Sequence, residues 1–403
     1  MQPNSDNDVL SKIKYLVGNE DLISRVSDVP ALQPFDEKVL TYLNSVSKLI
    51  MKDSRSKEYS DVVTFAFWIR SASTVELKKR HGFDDEFIHL GKGTAFHISP
   101  SNVPVNFAYS LAAGLLSGNA NIVRVPSKDF PQVDIIADAL RKAFEEHELF
   151  SSYVMLIRYE RDKEINDYLS SLCDVRVIWG GDETIAEIRK SQLPPRSTEI
   201  TFADRYSLAV IDSDYYLTQD NKSGIAKDFY NDTYFTDQNA CTSPRLVVWT
   251  GKEKSEAKEV FWNELYKLVN DKYVFQNIQG VNKLDRAYML AVSGVNVSLR
   301  RVGDNRLVLA SIDKLAGNLM DYRGDSGFFF EYDCDDINDL RSICNNKHCQ
   351  TIGYIGNKDT FIPLIMSGIK GVDRVVPVGK TMDFDLIWDG YDLVGQMSRR
   401  VVI

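Results

Sequence analysis

From residue 94 to about residue 190 the chain switches at short, regular intervals between runs that suit a strand and runs that suit a helix. Residues 94–99 read as a strand. Pro104 fits the first turn of a helix, where its missing N–H does no harm. That helix runs to about Ser117, and Gly118 suits its C-terminal cap. Residues 122–125 are the next strand. Val133, Ile136, Leu140 and Phe144 then recur at near-helical spacing. Strand 153–159, helix 162–171 and strand 175–179 follow, and Gly180-Gly181 breaks the chain before a helix over about 182–190. Such alternation leads to a doubly wound, largely parallel sheet. Ligands of these sheets bind at the carboxyl ends of the strands.

Pro194-Pro195 closes the series. Strand 207–211 opens a second region, with a helix near 222–235 and further strand and helix signals at 245–249, 255–269, 306–312, 327–332, 336–344 and 351–355. This reads as a second α/β domain. Residues 5–80 read mostly as helices, except 62–69 (VVTFAFWI), which reads as a strand or a buried edge. The expected organisation is 1–205, 206–375 and a tail, 376–403, rich in aromatic and turn residues, that packs back across the molecule.

A net charge of −9 argues against nucleic acid as the main partner. The polar start MQPNSDNDVL lacks the pattern of a signal peptide. The longest mostly apolar run, 103–116, is interrupted by Asn106 and Ser110 and is too short to span a membrane. The expectation is a cytoplasmic protein. Five cysteines (173, 241, 334, 344 and 349) without CxxC argue for reduced thiols. CNNKHC, 344–349, lacks a fourth ligand and reads as a helix end and turn rather than a zinc site.

DQNACTSPR, 237–245, sets Cys241 among Gln238, Asn239, Thr242 and Ser243, just before the apolar run 245–249. A cysteine kept for packing prefers apolar neighbours. The residues alone leave a structural cysteine and a nucleophile both open. Asn102 is likewise either a helix N-cap or an amide donor to developing negative charge. No GxGxxG follows a strand; GKG at 91–93 precedes one.

Asn102-Val103-Pro104, the helix after it and GNANIVRVPSK together resemble the aldehyde dehydrogenase superfamily, which has Asn-Phe-Pro, a helix, Gly-Asn, a strand and Lys-Pro-Ser. WGGDETI (179–185) stands where that superfamily has a Gly-Ser-Thr phosphate loop, and DQNACTSPR where it places its nucleophilic Cys. With RVVPVG and WDGYDLV, the set is similar to the LuxC-type acyl-CoA reductases, over roughly residues 90–400.

The resemblance implies an aldehyde-dehydrogenase-like α/β fold: a doubly wound, parallel-sheet cofactor domain within 1–205 and a second α/β catalytic domain. It implies Cys241 as nucleophile, with Asn102 and the Cys241 N–H facing the oxyanion. It assigns Ser99, Arg124, Ser127 and Lys128 to the adenosine end of a nicotinamide cofactor, and Gly180 and Gly181 to its pyrophosphate. Asp182 would repel phosphate and is not carried over. No acidic residue occurs from Asn121 through Lys128, so the expected cofactor is NADPH. The water-activating Glu of hydrolytic members is missing from its place, and Glu199 is out of register. The second cofactor Glu cannot be placed, since YRGDSGFFFEY occupies its region. His97 and His348 read as core or surface histidines before they read as relays. The implied function is NADPH-dependent reduction of an acyl thioester to an aldehyde through an acyl-cysteine. The alternatives are transfer or hydrolysis from the same acyl-cysteine, or a non-catalytic acyl-binding subunit of a fatty acid reductase complex. The implied partners are acyl-CoA, an acyl-carrier protein or an acyl-activating synthetase. A homo-oligomer paired through 62–69 is a further expectation.

Overall fold

Strand order follows from which runs are apolar on both faces. In chain order the first strands are β1 (Lys14–Val17), β2 (Ile88–Gly91), β3 (Thr94–Ile98), β4 (Ala120–Arg124), β5 (Val154–Arg158), β6 (Val175–Trp179) and β7 (Thr198–Phe202), in a computed structural model that describes residues 8–84, 86–101 and 103–403. Asn102 lies outside the described residues. The chain forms two units, one of residues up to Ala203 plus Asp385–Ile403, the other Asp204–Phe384.

In the first unit, six strands lie in the order β1-β5-β4-β3-β6-β7. β3 to β7 are mutually parallel, and β1 joins β5 antiparallel. β3 and β6 are buried at every residue. Central parallel strands covered on both faces read as unbroken apolar runs, which is why these two were legible. The chain moves outward from β3 through helix Asn106–Leu116 to β4, then through helix Pro131–Ala143 to β5. It then returns across the sheet to β6. That reversal, between β3 and β6, is the topological switch point of a doubly wound fold. Gly118 ends the first of these helices at φ +85°, and a Cβ there would stand 2.1 Å from the Leu32 carbonyl oxygen.

His97 is buried on β3, between Ser110 Oγ (2.7 Å) and Asn121 Oδ1 (3.0 Å), and the Trp179 indole donates to the same Ser110 at 3.0 Å. Burial lowers its pKa to about 4. A neutral imidazole tying three elements is a core histidine. Residues 62–69 form a helix, Ser60–Trp68, not a strand. Val62, Phe65 and Ala66 are buried at helical spacing, but Phe67 is an exposed apolar residue that hides the period. Pairing through a strand at 62–69 is therefore overturned. Ser398–Val401 pairs antiparallel with β2, and Asn119 Nδ2 donates to the Met397 carbonyl at 3.0 Å. Residues 376–384 belong to the second unit, and the following residues to the first.

The second unit is a seven-stranded sheet of β8 (Tyr206–Asp212), β9 (Pro244–Thr250), β10 (Val297–Val302), β11 (Asp304–Ile312), β12 (Phe328–Asp333), β13 (Cys349–Ile355) and β14 (Arg374–Pro377). Its order is β10-β11-β12-β9-β8-β13-β14, parallel except for β10. Alternate residues feed two cores. Leu208, Val210, Leu246, Val248 and Phe330 enter one, and Ala209, Ile211, Val247, Trp249 and Phe329 the other.

Candidate active site

The five cysteines sort by burial. Cys173, Cys334, Cys344 and Cys349 are buried, and Cys241 alone is partly exposed. Burial pushes the Cys173 thiol up to about 12 and Cys334 to about 11. Those groups stay protonated, and a protonated thiol is a poor nucleophile.

Cys241 lies in the turn that leads into β9. Helix Lys222–Asp232 ends, a short turn Tyr234–Thr236 follows, and then Asp237 and Gln238 both take left-handed backbone, φ 52° and 62°. Non-glycine residues there are uncommon, and two in succession are held by their surroundings. The Asp237 carboxylate accepts from Tyr273 OH (2.6 Å) and Gln279 Nε2 (3.3 Å), and its carbonyl accepts from Ser326 N–H (2.9 Å). The Gln238 amide is fully buried and bonds only to main chain, donating to Pro244 O (3.0 Å) and Phe328 O (3.3 Å) and accepting from Gly327 N–H (2.8 Å).

Farther along, the Ser207 hydroxyl donates to the Cys241 carbonyl at 2.8 Å, and Thr242 Oγ1 donates to Met382 Sδ at 3.0 Å. Asp232 pins the segment that carries Met382, accepting from Gly379 N–H (2.6 Å) and Thr381 N–H (3.3 Å). Burial raises the Asp232 carboxyl to about 7.

The charge nearest in kind to a thiolate's need is Arg245. Its guanidinium is buried at the start of β9 and donates to the Gly324 carbonyl. Burial, then the Arg323 charge, lowers its pKa to about 10; Asp325, Cys241 and Asp204 act in the opposite sense. Arg245 and Cys241 are thus within electrostatic reach of each other. His348 and Arg323 line a small cavity of about 130 Å³ with Asp204 and Tyr206, at the amino ends of β8 and β13. His348 Nδ1 lies 2.6 Å from the Asp204 carbonyl, which fixes that nitrogen as the donor.

The residues expected at a cofactor fall along the carboxyl edge of the first sheet. Ser99 follows β3, and its Oγ is buried with no hydrogen-bond partner among the described residues. Arg124 ends β4, lies 4.6 Å over the Tyr159 ring and donates to Tyr159 O at 3.2 Å. Ser127 and Lys128 are exposed in the next loop. Gly180 and Gly181 follow β6, with open space where a Gly181 side chain would be. Helix Asp182–Ile188 starts there, with Asp182 and Glu183 in its first turn. Glu199 is held by Arg176 (3.0 Å, to Nε) and Arg189 (2.7 Å).

Sequence reasoning missed three residues. Arg158, at the end of β5, pairs with the exposed Asp129 and leaves Nε and Nη2 buried without an acceptor among the described residues. Gln238 and Arg245 sit in the quoted Cys241 motif, but a turn glutamine and a strand-opening arginine give no signal that both are buried. Among the described residues no group of His, Cys, Asp and Glu is placed to hold a metal ion. Nor is any helix among them long and apolar enough to cross a membrane.

Solved aldehyde dehydrogenases share this fold. Aldehyde dehydrogenase 21 of Physcomitrella patens is 12% identical, with a TM-score of 0.66 over 100% of this chain and 91% of that one. The NAD-dependent benzaldehyde dehydrogenase of Corynebacterium glutamicum is 13% identical, with a TM-score of 0.63 over 94% of this chain and 88% of that one. Within that fold class the chain belongs to the acyl-CoA reductase (LuxC) family, whose profile matches residues 9–272. The long-chain acyl-protein thioester reductase of Aliivibrio fischeri is 25% identical over 298 residues, 72% of this chain and 58% of that protein. The protein of the same name from Vibrio harveyi is 29% identical over 168 residues, 41% of this chain and 34% of that protein. These matches thus span less than two thirds of the relatives' own length.

Proposed function

We propose that this protein reduces an acyl thioester to an aldehyde through an acyl-Cys241 intermediate, with NADPH as reductant. One observation carries the reading. In a chain of the acyl-CoA reductase family, the single partly exposed cysteine stands on a pinned turn within electrostatic reach of a buried arginine, while the other four are buried thiols.

The Cys241 thiolate attacks the thioester carbonyl, and the donor thiolate leaves as the acyl–Cys241 bond forms. Arg245 steadies the charge on sulfur before attack. The Cys241 N–H and Asn102 are the proposed donors to the oxyanion. When bound, the nicotinamide supplies the hydride that reduces the acyl group. Collapse of the thiohemiacetal then breaks the carbon–sulfur bond, frees the aldehyde and returns the thiolate. The region where hydrolytic aldehyde dehydrogenases carry their Glu reads Phe202-Ala203-Asp204-Arg205-Tyr206 in this chain, and its one carboxylate, Asp204, is paired with Arg323 at 2.5 Å. The missing Glu suits a reductase, in which water competes for the acyl-cysteine.

The cofactor residues fit in part. Ser99 Oγ and Arg158 Nε and Nη2 are buried polar groups without partners among the described residues, near the carboxyl edge of β3 to β5, suited to the phosphate and ribose oxygens of a dinucleotide. Ser99, Arg124, Ser127, Lys128 and Gly180 are the proposed holders beside them. Gly181 is the weakest, because Asp182 and Glu183 oppose an anion at that helix start. The donor is acyl-CoA or an acylated protein, the latter being what the relatives' name specifies.

The test is incubation with tetradecanoyl-CoA. Without nicotinamide, one acyl mass should appear on Cys241, and Cys241→Ala should abolish it. With NADPH, tetradecanal should accumulate. An adduct that persists in Cys241→Ala sinks the assignment. Free tetradecanoate in place of aldehyde would favour hydrolysis.

A further inference from the structure

The turn before Cys241 is built with more care than packing demands. Residues 239–243 leave Gln238 and return at Pro244, and the Gln238 side chain closes the base of that loop by donating to the Pro244 carbonyl. Pro244 has no N–H to give to a neighbouring strand. The β12–β9 ladder accordingly begins two residues on, at Phe330 opposite Leu246. At the unladdered end the Gln238 amide serves instead, taking the Pro244 and Phe328 carbonyls and the Gly327 N–H. Both amide hydrogens and the oxygen are thereby used. Asp237, the preceding left-handed residue, is held by Tyr273, Gln279 and Ser326. Ser207 fixes the Cys241 carbonyl at the far side.

We propose that Gln238 is the positioning residue for Cys241, which rests on the reading of Cys241 as nucleophile. Its amide sets the loop's take-off from β9 and β12, and so sets where the sulfur stands relative to a bound acyl carbon. A side chain of similar size without the amide would fill the same space. It would leave Pro244 O, Phe328 O and Gly327 N–H without that partner and let the loop swing. Thioester attack needs the sulfur in line with the carbonyl, and misplacement by about 1 Å costs on the order of 100-fold in rate. Alkylation by a small, freely diffusing reagent has no such demand.

The experiment compares two reactions of the full chain at Cys241, both followed by intact mass without nicotinamide. In Gln238→Met, acylation by tetradecanoyl-CoA should slow by roughly 10- to 100-fold. Alkylation by iodoacetamide, which depends on thiolate character and access, should change by less than about threefold. Gln238→Glu supplies the rescue. Protonated, its carboxyl keeps one donor and one acceptor. Its acylation, relative to wild type at the same pH, should therefore recover as pH falls from about 8 to about 6, because burial favours the neutral acid. A merely structural role predicts that both reactions slow together with the melting temperature and without rescue; that result overturns the proposal. If Gln238→Met does not fold, Gln238→Glu carries the test alone: acylation slowed at about pH 8 with alkylation little changed, and acylation recovering toward pH 6, is expected; its absence overturns the proposal as well. Acylation of Gln238→Met at the wild-type rate removes only the role of Gln238. A wild-type adduct that is absent, or on another cysteine, removes the nucleophile reading and this proposal together.

Discussion

At the scale of single residues, the proposed nucleophile Cys241 is tested by the charge nearest to it in sequence that is buried, Arg245. A buried arginine is costly, and Arg245 sits there with its pKa brought down to about 10 yet still charged at neutral pH. Its charge acts on Cys241 from one end of β9. Replacing it with Met keeps the chain length and removes that field. Arg245→Met should therefore move the pH profile of Cys241 alkylation to higher pH and slow alkylation at pH 7 by roughly 3- to 30-fold. The check is the iodoacetamide rate between about pH 6 and pH 10. An unmoved profile would show that Arg245 serves only the Gly324 turn. Cys241 is singled out in the sequence by its polar neighbours, and the structure shows it to be the one partly exposed cysteine. Gln238 and Arg245 are not singled out, because nothing in a sequence marks a polar side chain that is buried against main chain. Arg158 was missed for the same reason.

Among elements, buried strands closed by Gly or Pro were read to within two residues at each end: β3, β4, β6, β9 and β13. β1, β2, β7 and β14 went unread because they are short and lie at sheet edges or in a two-stranded pair; two further failures share another physical cause, which is apolar residues where burial does not ask for them. Helix Ser60–Trp68 is apolar enough around its circumference to pass for a strand. Helix Asn277–Val292 and β10 went unread. That helix buries Lys283 and Leu290, while Ile278, Val281, Leu284, Tyr288 and Val292 face solvent. Its apolar period marks the wrong side. Two opposite outcomes follow. Tyr288→Lys on the exposed face should change stability by less than about 0.5 kcal/mol. Glu331→Leu should cost about 3 kcal/mol or more, because it strands the Trp249 and Trp262 indole donors, now 3.1 and 2.7 Å from Oε1, and the Ser311 hydroxyl. Urea melts of both variants measure this. A Tyr288→Lys protein as damaged as Glu331→Leu would mean that the helix face is covered in solution.

For the molecule as a whole, the two units carry buried groups that answer pH in opposite directions. In the first, burial holds His97 down at about 4, against an ordinary value of 6.5. Between those values the unfolded chain binds the proton and the folded unit does not, so acid removes stability. In the second, burial holds Asp232 up at about 7, against 3.8. There the folded unit keeps the proton that the unfolded chain gives up. The stability this provides is full below about pH 4 and is lost as pH rises through about 7. Lys283 adds to the same unit: burial lowers it to about 7, and it donates to Asn305 O and Arg306 O at 2.6 and 3.1 Å. Its depressed value makes stability rise from about pH 7 toward 10, so it leaves the acid side to Asp232. Lowering pH from 7.5 to 5 should thus loosen the first sheet and tighten the second, by ~1–3 kcal/mol each way. Hydrogen exchange read by mass spectrometry, corrected for the intrinsic pH dependence of exchange, can follow each unit through its own peptides. Protection around β3 and β4 should fall at pH 5, and protection around residues 226–236 and 376–382 should rise. His97→Gln should flatten the first response, and Asp232→Asn the second. Parallel changes in both units would show that these buried groups do not set the acid response.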